Sequence, residues 1–333
     1  MRDGALVKGD LVEVRSATEI LETLDEAGAL EAIPFMPEMI PQLGKRFVVD
    51  RRAEKVCDTV NTTLQSRRLP DTVLLEADER CDGSAHGGCE AECRVLWKEA
   101  WLRRVAPGEP QRADADDSAA IDTLRKLTEP NTRRSTDDGS IRYRCQATEM
   151  AKGSTPMSNT DPRPMFREVI SGNVPLGKFV RVMARAVVWQ PAHRFGVLPW
   201  PTGPHTKSPK FEPLNLQVGE WVRVKPRKEV EATLTKGGAN RGLHFDTEMA
   251  AFCGKVFQVK GRVTHIISEP TGEMLHFSSD CIKLEGAYCS GYRSTGRWFC
   301  AREIYPYFRE CWLERVDAPV QVTLRTSPSH SQL

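Results

Sequence analysis

The sequence has no run approaching the ~18–20 consecutive apolar residues that a membrane-crossing helix requires. Its opening residues, MRDGALVKGDLVEVR, lack the apolar core of a signal peptide. A non-membrane, cytoplasmic chain is therefore expected. Net charge is also scarce: 47 Lys and Arg against 45 Asp and Glu leave a formal +2. That is too little to demand a polyanionic partner. No helix-turn-helix, zinc-finger helix or dense basic stripe is present, so nucleic acid is disfavoured as a partner. The P-loop, the H-E-x-x-H helix and the dinucleotide fingerprint are missing, as are close C-x2-C knuckles. What remains is 333 residues with 40% apolar and 28% charged content, the composition of a folded chain able to build two or three modest cores.

A duplication dominates the chain. Gly9, Val12, Val14, Glu19, Thr23, Leu24, Gly28, Phe35, Glu38, Met39, Gly44, Lys45, Phe47 and Val49 recur 210 positions later, from Gly219 to Val259. Cys81 then matches Cys289, Cys89 matches Cys300, and Trp101-Leu102 matches Trp312-Leu313. Each copy opens with G-x-x-V-x-V, whose alternation predicts a half-buried strand. In the first copy Ser16 stands three residues before Glu19, the capping-box spacing that starts a helix. A short helix is expected near 36–43 and 246–253, then strands at 45–49 and 255–259. Thr72–Leu75 and Met274–Phe277 are candidate further strands.

The G-D/E-x-V-x-V opening and the G-K-x-F-x-V strand of each repeat resemble SH3-like small β-barrels, known from ribosomal and transcription proteins and as accessory domains of some metalloenzymes. The resemblance implies an α+β chain of tandem SH3-like small barrels with helical insertions and a helical central segment. The ordinary small barrel has no cysteine loop, so no functional residue carries over from it.

The expected organisation is a first repeat over 1–105, a central region over 106–216, a second repeat over 217–316 and a tail over 317–333. The centre combines a polar linker, a helix at Ser118–Leu127, a helix around Phe166, Val169 and Ile170 capped by Asn159 or Thr160, and a second apolar pattern from Leu176 to Val187. Prolines including Pro199, Pro201 and Pro204 make the connection to the second repeat stiff.

The chemistry concentrates in Cys81-Asp82-Gly83-Ser84-Ala85-His86-Gly87-Gly88-Cys89-Glu90-Ala91-Glu92-Cys93. Glycines allow tight curvature and bring amide donors close to the loop's contents. Helical spacing through Trp97 and Trp101 predicts a helix that starts near Cys89 and carries Cys93 one turn on, on the same side. Cys81, Cys89 and Cys93 are the candidate ligands, with Cys145 the leading fourth, Cys57 a second choice, and His86 able to complete a three-cysteine, one-histidine site. The long glycine-bearing loop suits an iron–sulfur cluster, with zinc as the alternative cofactor. Buried, metal-free thiols are the plain reading of the same residues. The second copy replaces the match to Cys93 with Ile304 and is expected to be structural.

His86 beside a thiolate also raises nucleophilic catalysis, which spacing alone does not support. Glu38 and Glu248 recur, as do Glu99 and Glu310; all four fit solvated helix positions, and Glu99 has Arg103 at i,i+4. The functional expectation is a cytoplasmic, cysteine-ligated metalloprotein, of iron–sulfur type, supporting electron transfer or a biosynthetic redox reaction. The alternative is a zinc-stapled scaffold or partner-binding protein. A protein partner, a small-molecule substrate or a second copy of the chain would each fit, and enzymatic activity is left open.

Overall fold

The computed structural model describes residues 4–53, 55–60, 66–76, 80–110, 117–158, 161–194, 200–294 and 297–318. The cap expected at Asn159 or Thr160, the residue Pro199 and all but the start of the expected tail lie outside them.

In the first repeat, β1 (Leu11–Val14), β2 (Arg46–Arg52), β3 (Thr72–Leu75), β4 (Trp97–Lys98) and β5 (Leu102–Arg104) form one antiparallel sheet in the order β4-β3-β2-β1-β5. In the second repeat, β6 (Trp221–Val224), β7 (Val256–Arg262), β8 (Ile282–Leu284) and β9 (Leu313–Arg315) are ordered β8-β7-β6-β9. The registers repeat with the sequence. Val12 faces Phe47 and Arg104, and Val222 faces Phe257 and Arg315. Each long strand is bulged at the same place, between Val49 and Arg51 and between Val259 and Gly261.

These sheets are open, which corrects the expectation of tandem SH3-like barrels. β4 and β5 each pair only inward, and no closed barrel forms among the described residues. The edge strands are two and three residues long, leaving few backbone groups with which to close a ring. The hairpins Ala29–Leu30/Ile33–Pro34 and Ala239–Asn240/Leu243–His244 stand as separate ribbons. The fold is mixed α+β, built from several small open sheets and helices. Met274–His276 pairs with His265–Ile267 in its own hairpin; the partner of Thr72–Leu75 in the second copy is β8.

Each repeat packs around a tryptophan at the turn before its last strand. Trp101 and Trp312 are fully buried. Their indole N–H groups donate to Thr23 and Thr233 at 3.1 and 2.8 Å. Phe35 and Phe245 meet them edge-on, each at 5.2 Å between ring centroids, the geometry aromatic quadrupoles favour. Ser16 caps α1 (Ala17–Leu21) as expected, with the reciprocal bond from Glu19 in place.

The central region contributes α2 (Ser118–Thr128), α3 (Gln146–Glu149), α4 (Arg163–Ile170) and α5 (Leu176–Arg194). α2 packs on the first repeat: Leu124 is buried in its core, and Asp117 accepts from the Ala17 and Thr18 amides. Phe179, Val182 and Ala186 of α5 make a third small core with Trp298 and Phe299 of the second repeat. Glu99 and Glu310 are anchors rather than solvated acids. Glu310 accepts from the amides of Leu214, Asn215 and Leu216, and Glu99 pairs with Arg52, not Arg103.

Candidate metal centre

Residues 80–94 form a loop closed at its base by a bridge between Arg80 and Arg94 and by the Cys81 amide donating to the Cys93 carbonyl at 2.8 Å. The helix expected from Cys89 is absent. Gly83, Gly87 and Gly88 all have positive φ, as does Glu92, so the chain reverses where a helix would have to begin. At Gly83 an added Cβ would strike the Cys89 backbone, and at Gly87 it would strike the Tyr143 ring; both positions need glycine for close approach as well as conformation. The loop docks onto the second repeat. Glu90 accepts from the His265 amide at 3.1 Å and the Thr264 hydroxyl at 3.1 Å, and Cys89 Sγ accepts from the Ile267 amide at 3.4 Å.

The short 3-10 helix Ser84–His86 turns His86 inward until it is buried. Its Nδ1 lies 2.7 Å from Glu38 Oε1 and its Nε2 lies 3.1 Å from the Arg144 carbonyl. Cys81 Sγ is 3.7 Å from the same Glu38 oxygen. Glu38, Cys81 and His86 thus present a carboxylate, a thiol and an imidazole with ligand atoms all within 4.8 Å of one another. Such a group can chelate a metal ion. Glu38 Oε2 is buried with no hydrogen-bond partner, an arrangement that costs ~1–3 kcal/mol for an acceptor left unsatisfied, and more for a charged one. Burial would raise the Glu38 carboxyl, but the hydrogen bond and charge of His86 hold it below its ordinary value.

Cys145 reaches the same cavity from the central region. Gln146 beside it is clamped in the core, donating to the Leu96 and Pro34 carbonyls at 2.8 and 3.1 Å and accepting from the Leu96 amide at 2.8 Å. Cys81, Cys89, Cys93 and Cys145 all line one cavity of about 40 Å³, together with His86 and Arg302. Its size admits about three water-sized spheres, enough for an ion and too little for an organic substrate. Burial pushes the Cys81 thiol far up, the Cys93 thiol up to about 12 and the Cys145 thiol up to about 11. These sulfurs hold their protons at neutral pH unless a cation replaces them.

The sequence placed Cys81, Cys89, Cys93, Cys145 and His86 together, and all five line the cavity. Only Cys81 and His86 belong to the tight donor group, and Cys57 lies elsewhere, beside Cys300. Glu38 was misassigned to solvent, although its recurrence as Glu248 was the available signal. The iron–sulfur expectation is corrected as well. The donor group contains a single thiol, whereas a cluster is held mainly by cysteine thiolates. A mixed Glu/Cys/His set fits a mononuclear, zinc-type site better.

No helix among the described residues is long and apolar enough to cross a membrane. Comparison with known proteins returns no match to a family model, a curated protein or a solved structure.

Proposed function

We propose that the chain is a zinc-stapled scaffold of the cytoplasm. A single ion held by Glu38, Cys81 and His86 would fasten the glycine-bearing loop so that it bridges the two repeats for a protein partner. The observation that carries this reading is the convergence of three chemically different donors on one point, with Glu38 Oε2 buried and unpaired there. Calcium and magnesium sites use oxygen donors alone; thiolate plus imidazole plus carboxylate suits zinc. His86 is placed for the role, since a metal ion would take the place of the proton between its Nδ1 and Glu38 while Nε2–H stayed on the Arg144 carbonyl. Cys145 is the fourth ligand we favour, because it enters the same cavity from the central region. Four protein ligands would close the site, as in structural centres. The cavity's small volume supports a staple over a catalytic pocket.

The test is elemental analysis of anaerobically isolated protein, with cobalt substitution to read sulfur ligation from the charge-transfer bands. Zinc in equal proportion to chain, released on acidification as the ligands take up protons, is the expected result. Iron with labile sulfide would replace this reading with a cluster, and protein isolated without any tightly held metal would return the site to a buried His86–Glu38 ion pair.

A further inference from the structure

A second sulfur pair lies outside the metal site, where the two repeats meet. Cys57 ends the short strand Val56–Cys57, and Cys300 lies in the second repeat's loop, 243 residues away in sequence. The Cys57 amide donates to Cys300 Sγ at 3.1 Å, and the Ala301 amide donates to the Lys55 carbonyl at 3.1 Å. The two segments therefore run side by side, with Cys300 Sγ seated on the Cys57 amide.

Three cations stand near this pair. Lys55 is buried with its Nζ on the Trp298 carbonyl, and Arg297 and Arg302 add two guanidinium groups, paired with Asp246 and Glu269. Positive charge disfavours a second metal ion and favours a thiolate. The hydrogen bond from Cys300, opposed by burial and aided by Arg302 and Arg297, draws the Cys57 thiol down to about 6. That same hydrogen bond, with burial, pushes Cys300 up. These directions favour Cys57 as the sulfur that gives up its proton and Cys300 as the one that keeps it, the arrangement used in thiol–disulfide exchange.

We propose that Cys57 and Cys300 form a reversible disulfide, made by exchange with a low-molecular-mass disulfide, that ties the first repeat to the second. The Cys57 thiolate attacks one sulfur of the small disulfide, forming a mixed disulfide and releasing one small thiolate. Cys300 passes its proton to that thiolate and attacks the Cys57 sulfur, expelling the second small thiolate. Two protein sulfurs are oxidised, and the small disulfide is reduced to one thiol and one thiolate. Charge and protons balance, because Cys57 entered as the anion. Both sulfurs are nearly enclosed, at 4% and 5% exposure, so exchange waits on local opening of this contact. Such a cross-link suits a redox-responsive lock in a reducing compartment, where disulfides are transient.

The experiment equilibrates the full, metal-loaded chain in buffers of graded reduced and oxidised glutathione, followed by acid quench, alkylation and peptide mapping. The expected result is a linked peptide pair containing Cys57 and Cys300, lighter by two hydrogens, rising as the buffer becomes oxidising and lost on return to reducing buffer. Cys300→Ser should instead trap glutathione on Cys57, and Cys57→Ser should abolish both products. Recovery of both residues as free alkylated thiols from folded wild-type chain in the most oxidising buffer would overturn the proposal. So would a metal content that falls in Cys300→Ser, which would make the pair a ligand set. The wild-type mapping decides the matter even if a variant fails to fold.

Discussion

The two cysteine loops are anchored alike and filled differently. Cys81 and Cys289 occupy equivalent places, their amides donating to the carbonyls of Cys93 and Ile304 at 2.8 and 2.9 Å. Glu38 and Glu248 enter from equivalent turns, and Ala85 and Arg293 each donate a backbone amide to them. In the second copy Ser294 stands where the first has His86, and its hydroxyl meets Thr247 at 3.0 Å. Ser290 donates to Glu248 Oε2 at 2.8 Å, whereas Glu38 Oε2 has no partner. The second copy has satisfied its carboxylate with hydrogen bonds. The first has left an acceptor, a thiol and an imidazole converging, which is the difference between a packed loop and one able to chelate.

Exchanging the discriminating residue breaks this comparison most directly. His86→Ser should abolish metal retention, whereas Cys289→Ser should leave it intact. Loss of an outer hydrogen-bonding partner alone weakens metal binding ~10–100-fold, so loss of a ligand is expected to exceed that range in a chelator competition titration. Retention of zinc by His86→Ser at wild-type affinity would contradict the assignment.

Where the copies agree, they should respond alike. Trp101→Ala and Trp312→Ala each remove a fully buried indole and should each cost ~3–5 kcal/mol, read from urea melts followed by circular dichroism. A large cost in only one copy would show that the two cores are not energetically equivalent.

A third difference concerns alkaline pH. Burial raises the thiols of Cys93 and Cys289 to about 12 and Cys145 to about 11. Above the unfolded thiol value of ~8.5 the unfolded chain has released protons that the native one keeps, so stability falls as pH rises. Each such thiol subtracts about 1.4 kcal/mol per pH unit there. Metal should flatten this slope for ligand thiols in the first copy and leave the Cys289 contribution unchanged. Denaturation midpoints at pH 8 and pH 10, with and without chelator, measure both; identical slopes would remove Cys145 from the ligand set.

Much of the scaffold was legible because it rests on local rules. The alternation at Val12 and Val14, the Ser16–Glu19 cap, and the span of α2 each depend on neighbours in sequence. The helix expected after Cys89 failed because the tryptophan spacing that suggested it belongs to a strand followed by a 3-10 turn. Barrel closure failed because strand patterning says nothing of how edge strands end. The cysteine candidates and His86 line one cavity, but the tight donor group also takes in Glu38, which carries no local mark separating a ligand from a solvated acid.

By itself, the sequence determined that there are two copies, where their strands begin, and which glycine-bearing loop holds the sulfur. The tertiary structure alone decided that the sheets stay open, that Glu38 meets Cys81 and His86, and that Cys57 meets Cys300. Periodicity and caps are set by bonds within a few residues. A donor group joining residues 38 and 86, or a thiol pair 243 residues apart, depends on how whole segments pack, and no short-range pattern encodes it.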